Sequence, residues 1–546
     1  MPNYTVNQEP ITIADIPSLP PANTQVIEEP KNPQVVFDQD GLQKYREAIK
    51  RGEGIGGIIP EPGNVAIRGI TFDYAGGLRL KFPDRKVKET FLVYIKERLT
   101  GTVLCLNEEV HSGDVRSTVH KYYGEFDFAI IAKEPFDENK KSELKTLLAR
   151  DKLDLPDDDL ELIYESSLLP SASLSDILNG YASRFGETPV PVRKAMDIIY
   201  KFVREKQGFR HFFSLKDKEV VIQIPGGTLG DTIGWFSYVE RFQKKHACKL
   251  TIVMQSWMSC IFEAQYPNIQ FIEASELENR RFYALYHIGL FPKGDTAYQP
   301  YDFRFAGNHR TAAYILGVDD ADIPPRVTLP TKRKIKDPYV VIATKGTANC
   351  KLWNNPTGWY TVVSWLRRMG YRVVCIDRDP VQHLVLDPKD EYRDIPWYAN
   401  STVTLPWGVE DMTGHRPLQE RIDILAHADF FIGISSGLSW LAWCTRIPVV
   451  LISGFTEPYN EFKTPYRVIN TLVCHGCWNN QKYEFDHNDY FWCPVHQHDR
   501  EAYICSRAIT AEHVIRVIET IPTFQKHKLG ALKHGSKEKE SGPDGK

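Results

Sequence analysis

The chain has 546 residues, 42% of them hydrophobic, and a formal net charge of −3. That near-neutral balance excludes the broad basic footprint of a nucleic-acid binder, and no apolar run approaches the roughly 20 residues that a membrane-spanning helix needs. The length predicts about three domains at ~150 residues each, and the absence of a basic-then-apolar leader in residues 1–30 predicts a cytoplasmic protein.

Residues 1–32 are Pro-rich and acidic, which predicts a disordered arm, and the charged, Gly- and Ser-containing stretch 526–546 predicts a disordered tail. Between 33 and 135, NVAIRGITFDY and LRLKFP flank a Gly-Gly turn, and ETFLVYIKERLTGTVLCLNEEV repeats the pattern around Thr-Gly. Alternating apolar residues around such turns predict hairpins, and so a small antiparallel β domain. Its edges suit either subunit or acceptor docking or a passive scaffold role. Residues 136–190, with the amphipathic ENKKSELKTLLARD, predict a helical connector that carries no recognisable chemistry.

From about Val190 strands alternate with helices, which implies parallel sheets with crossover helices. EVVIQIPGG leads into GDTIGWFSYVERFQKKH, where Ile233, Phe236, Val239 and Phe242 share one helical face. CKLTIVMQ and YALYHIGLF follow as buried strands. A second set runs through PYVVIATKG, TGWYTVVSWLRRMG, YRVVCID, ADFFIGI, SSGLSWLAWC and IPVVLISG. Two doubly wound domains, 191–330 and 331–525, are therefore expected to face each other across a cleft. In such sheets ligands bind beyond the carboxyl ends of the strands.

Three strand-to-helix turns hold the candidate residues. GGTLGD places Gly226, Gly227 and Gly230 around Asp231 at a helix start. Asp231 there is either an N-cap or a base that takes a hydroxyl proton from an acceptor; the G-x-G-x-x-G fingerprint of dinucleotide binders is absent. ATKGTANCKLW carries Lys345 and Lys351 beside Thr344 and Thr347. A cation and hydroxyls around a helix start suit a diphosphate leaving group, and Trp353 limits where the Lys351 stem lies. GISSGLSWLAW puts Ser435, Ser436 and Gly437 at a third helix start. Its backbone N–H groups suit a phosphate, although the serines also fit ordinary capping. Only the three turns together favour a nucleotide diphosphate.

Near the C-terminus Cys474, Cys477, Cys493 and Cys505 follow the pattern C-x2-C-x15-C-x11-C. One tight turn can chelate through the first pair, and four thiolates leave no open position, so the metal is structural. Zinc is the default, iron is also compatible with tetrahedral sulfur, and His475, His487, His496 or His498 can replace a cysteine. The other six cysteines, in apolar runs, lack a paired framework, which argues against disulfides. Trp478, Tyr483, Phe485, Tyr490, Phe491 and Trp492 are read first as packing around the metal and second as an acceptor or subunit surface.

GGTLGDTIGWFSYVERF and ADFFIGISSGLSWLAWCTRIPVVLISGFTEP resemble the two signature motifs of glycosyltransferase family 9, the bacterial heptosyltransferases. With the four cysteines and the N-terminal β region, residues ~50–520 resemble the autotransporter heptosyltransferase branch. That resemblance implies a GT-B fold of two Rossmann-like domains. It implies Asp231 as catalytic base, Lys351 as the lysine on the donor diphosphate, with Thr347 beside it, and Ser435, Ser436 and Gly437 as the donor-binding turn. It makes Gly226, Gly227 and Gly230 the acceptor loop. Ser435 and Trp440 stand where lipopolysaccharide-core members carry Asp and His.

The implied metal moves from zinc to a structural ferric iron on Cys474, Cys477, Cys493 and Cys505. The implied activity is inverting transfer of heptose from ADP-heptose to serine hydroxyls of an autotransporter adhesin, before secretion, by a homo-oligomer such as a dodecamer. Two alternatives stand beside it: the same fold with another nucleotide-sugar donor or a saccharide acceptor, and a non-enzymatic metal-stapled binding or redox module. Rubredoxin-type sites use two paired C-x2-C knuckles, and this chain has one.

Overall fold

A computed structural model describes residues 59–60, 65–225, 228–277, 280–291, 296–379, 405–497 and 499–528. The expected arm, most of the expected tail, Gly226, Gly227 and His498 lie outside these residues.

The second half of the molecule is an all-parallel six-stranded sheet in the order 410–411, 372–375, 339–343, 431–434, 449–452, 467–468. Strand Tyr339–Ala343 is buried along its whole length because helices cover both faces. The period of two separates those faces. Val340 and Ile342 pack with Val373, Ile432 and Val450 on one side, while Val341 and Ala343 join the core that continues into the first half.

The first half is a seven-stranded sheet in the order 269–272, 249–253, 219–223, 284–287, 71–75, 79–81, 115–117. Its first five strands are parallel. The N-terminal stretch therefore does not make a free-standing antiparallel domain. Strand Thr71–Ala75 pairs in parallel with Ala284–His287, extending the Rossmann-like sheet, and only then turns back through the expected Gly-Gly hairpin. The physical reason is burial: Phe72 and Tyr74 are too apolar to leave on an edge, and Tyr74 packs on Tyr283 with ring centroids 5.1 Å apart.

A separate four-stranded antiparallel sheet has the order 103–111, 90–97, 126–132, 208–211. Helices Glu138–Ala149, Asp157–Ser167, Leu174–Phe185 and Val190–Lys206 cover it, with Leu144, Leu160, Ile163, Met196 and Ile199 packed on Leu92 and Ile131. The connector is thus an insertion between two paired strands. Asp137 caps its first helix, and Ser173 and Asp176 form a capping box on the third.

Candidate active site

The three turns singled out in sequence follow strands Glu219–Gln223, Tyr339–Ala343 and Phe431–Ile434, at their carboxyl ends. The stretch read as one helix after the first turn is two, Leu229–Phe236 and Val239–His246. The apolar positions 233, 236, 239 and 242 are all fully buried nonetheless. Asp231 is not the N-cap. Thr228 is, and Asp231 sits at the third helical position, where its Oδ2 accepts from Thr228 Oγ at 2.7 Å. Its other oxygen faces Asn308 Nδ2 at 3.5 Å.

This helix start meets the third turn across the two halves. A Cβ built on Gly230 would lie 2.7 Å from Trp440 Cδ1 and 3.4 Å from Gly437 Cα, so glycine is what permits the approach. Ser436 is the N-cap of helix Gly437–Cys444, yet its side chain makes no capping bond, and its buried Oγ has no hydrogen-bond partner. A buried hydroxyl of that kind suits a polar ligand. Ser435 points elsewhere: its hydroxyl donates to Glu461, which pairs with Arg467 and accepts from Thr456. Only the Ser435 backbone remains available at the turn.

At the second turn Lys351 Nζ donates to Thr347 Oγ at 3.2 Å and sits 5.9 Å and 6.0 Å from the ring centres of Phe455 and Phe485. A Cβ on Gly346 would lie 3.2 Å from Lys351 Cβ and 3.3 Å from Ile434 Cδ1, so that turn packs against the third strand. Thr344 is taken up by buried Asp377, which accepts from its N–H at 2.9 Å and its hydroxyl at 2.8 Å. Burial lowers the Lys345 pKa, and the Asp377 carboxylate opposes that.

The cysteine loop closes the third side. Cys477 and Cys493 share a buried cluster with Cys350, Phe455, Trp492 and Tyr503, with Cys474, Trp478, Tyr483 and Phe485 packed on it. The thiols of Cys474 and Cys477 share a hydrogen bond, and the other thiols, Cys350 among them, act electrostatically on the deeply buried Cys505. Burial pushes Cys477 up to about 12. As they stand, no group of three His, Cys, Asp or Glu side chains among the described residues is arranged to hold a metal ion. Asn349 N–H donates to the Tyr490 carbonyl at 2.8 Å, tying the turn that carries Lys351 to this loop.

His487, expected only as a spare ligand, lies by Phe485 at 4.8 Å between ring centroids. Burial lowers its pKa, Lys351 adds to that, and Asp231 opposes it, so one imidazole feels both candidate side chains. His475 and His496 are spent on the Val473 carbonyl and on Asp499. Asn308 and Glu461 were not legible in sequence, since each lies in a loop with no motif of its own; Phe455 and Asp377 fall inside quoted segments, but nothing local marks which residues they meet.

No family model matches the chain. It is 48% identical over 320 residues, 59% of this chain and 78% of the relative, to the autotransporter heptosyltransferase Aah of Escherichia coli. It is 38% identical over 316 residues, 58% of this chain and 71% of the relative, to BimC of Burkholderia thailandensis, an inactive autotransporter heptosyltransferase. The crystal structure of TibC from enterotoxigenic E. coli H10407, a dodecameric iron-containing glycosyltransferase, matches with a TM-score of 0.63 and 34% identity over 85% of this chain and 98% of that one. TibC has also been solved with ADP-D-β-D-heptose bound, at the same TM-score and identity.

Proposed function

The chain belongs to the autotransporter heptosyltransferases, and from that premise we propose that it transfers heptose from ADP-heptose to serine hydroxyls of an autotransporter adhesin. The fold is GT-B, with two Rossmann-like halves. One observation carries the assignment of roles: the Asp231 helix start and the Ser436–Gly437 helix start meet at Gly230, with Lys351 and Asp231 both acting on His487.

In this reading Asp231 takes the proton of the acceptor hydroxyl as that oxygen bonds to the anomeric carbon. The bond from that carbon to the diphosphate breaks on the opposite face, and ADP leaves with the electron pair, which inverts the configuration. Lys351 and the N–H groups at Gly437 face the charge that builds on the departing phosphate. Ser436 Oγ, buried without a partner, hydrogen-bonds the donor. Gly230 lets the helix start that carries Asp231 approach Trp440 and Gly437 of the donor-side turn.

The four cysteines suit a structural iron of the kind named for TibC. Cys474, Cys477, Cys493 and Cys505 supply only sulfur; Cys477, Cys493 and Cys505 are buried and Cys474 is half-buried. Bound there, the ion would cross-link the loop and leave no coordination position for a substrate. Zinc draws no support from these relatives. A homo-oligomer, with TibC's dodecamer as its precedent, is part of the proposal; Val103, Leu104 and Leu106 lie exposed on the edge strand Val103–His111. No helix among the described residues is long and apolar enough to cross a membrane, and we place the reaction in the cytoplasm, before adhesin export.

The test is intact-mass analysis of an autotransporter passenger incubated with purified protein and ADP-heptose. Mass gained in heptose steps, mapped to serine, is the expected result. Mass appearing on an oligosaccharide and not on the passenger overturns the protein acceptor. No transfer to either would place the chain with inactive relatives such as BimC.

A further inference from the structure

Asn308 lies between helices Phe303–Ala306 and Arg310–Leu316 and touches Asp231 on one side and the cysteine loop on the other. Trp478, next to Cys477, donates its indole N–H to Asn308 Oδ1 at 3.0 Å. An indole N–H can only donate. The amide orientation is thereby fixed, with the oxygen toward Trp478 and the Nδ2 toward Asp231 Oδ1 at 3.5 Å. The backbone is held as well: the Asn308 carbonyl accepts from Trp235 Nε1 at 2.9 Å, and Trp235 follows Asp231 by one helical turn on the same face.

The loop grips the preceding residues too. Asn479 Nδ2 donates to the Arg304 carbonyl at 2.9 Å, Gln481 Nε2 donates to Asp302 Oδ2 at 3.1 Å, and the rings of Phe303 and Trp478 lie 5.9 Å apart. Thr228 binds the other carboxylate oxygen of Asp231. Two donors on opposite oxygens define the plane of a carboxylate, and the 3.5 Å contact has room to tighten once substrate is bound.

We propose that Asn308 is a positioning residue that aims the Asp231 carboxylate, and that Trp478 sets the Asn308 amide for this task, making the cysteine loop the outer support of the base. The inference rests on the transferase reading above. It assigns no contact with substrate to either residue.

Two variants test it, assayed beside the wild type for transfer, donor KM, pH profile and melting temperature. Trp478→Phe keeps an aromatic ring and removes the N–H together with one ring of the indole, so the melting temperature reads the packing lost with it. It is expected to lower kcat roughly 10-fold or more, the scale of a misplaced catalytic group, with donor KM changed by less than kcat, since Trp478 meets the Lys351 turn only as a packing neighbour of Phe455 and Phe485, 6.2 Å and 5.3 Å from its ring. Asn308→Asp places a second carboxyl against Asp231, and like charges disfavour ionisation. The acid limb of kcat/KM should then move up by about one pH unit. His487, the imidazole of the cysteine loop on which Asp231 and Lys351 act in opposite directions, and Lys351 are unchanged in both variants. Wild-type kcat in Trp478→Phe with an unmoved limb in Asn308→Asp overturns the inference, as does activity lost only in step with melting temperature. A wild type that transfers nothing fails the transferase reading itself and takes this inference with it.

Discussion

Gly437 and Gly230 meet backbone to backbone across the two halves: a Cβ on Gly437 would stand 3.1 Å from Gly230 N and 2.8 Å from Leu229 Cβ. Neither neighbour is the far end of a flexible side chain. Gly437→Ala must therefore push the two helix starts apart. Overpacking of this kind costs about 1–3 kcal/mol, so a lower midpoint in denaturant unfolding is expected together with reduced transfer. An alanine variant with wild-type stability and activity would show that the approach is not required.

Asp231→Asn keeps an acceptor for the Thr228 hydroxyl while removing the carboxylate proposed as the base. Transfer should fall by at least ~100-fold, the usual scale for a general base, with ADP affinity by calorimetry within a few fold of wild type. Retained transfer would reduce Asp231 to the acceptor of the Thr228 hydroxyl that it also is.

Lys351→Met preserves an apolar stem beneath Phe455 and Phe485 and removes the charge. A preorganised group facing developing charge is worth about 100-fold or more. Both a fall in kcat and weaker ADP binding are expected, measured by steady-state kinetics and calorimetry.

Cys477→Ser removes one of the paired thiols of the C-x2-C turn from a cluster that also packs Phe455 and Trp492. Metal content by elemental analysis should drop, and the melting temperature with it, because ligand binding is linked to folding. Cys350→Ala, in the same cluster but outside the four-cysteine pattern, should retain the metal. Full metal occupancy in Cys477→Ser would contradict the assigned ligands.

His211 and His246 set an acid limit on stability. Burial is the main cause that brings each down to about 4, with Lys218 adding to it for His211 and Lys245 for His246. The unfolded chain protonates these groups near pH 6.5 while the folded one does not, so it binds more protons and stability rises with pH between about 4 and 6.5. Stability is thus lost as pH falls through that window. Chemical denaturation at pH 7 and pH 5 should show the loss, and the double variant His211→Gln, His246→Gln should flatten the slope.

Hairpins, crossover strands and the three turns were legible because each is a local pattern: alternation, a Gly turn, an apolar run ending in Gly or Ser. The pairing of Thr71–Ala75 with Ala284–His287 was not, since strand neighbours more than 200 residues apart leave no mark in either segment. The break at Ser237–Tyr238 was hidden because both short helices keep the same buried face. For Ser435 the turn motif gave the strand-to-helix position but not the fate of the side chain. Its hydroxyl serves Glu461, a residue 26 positions away, and only its backbone stays at the turn.

The sequence alone determined which chemistry was on offer: one carboxylate after glycines, one lysine beside threonines, one Ser-Gly helix start and four thiols in chelating order. Residue type and spacing carry that information, because proton affinity, charge and metal softness belong to the side chain itself. Only the tertiary structure decided which groups work together. Packing brought Gly230 against Gly437, His487 into the electrostatic field of both Asp231 and Lys351, and Trp478 onto the amide that faces the carboxylate. Such distances are set by how two sheets and a cysteine-rich loop bury their apolar faces, a sum over the whole core that no short window of sequence contains.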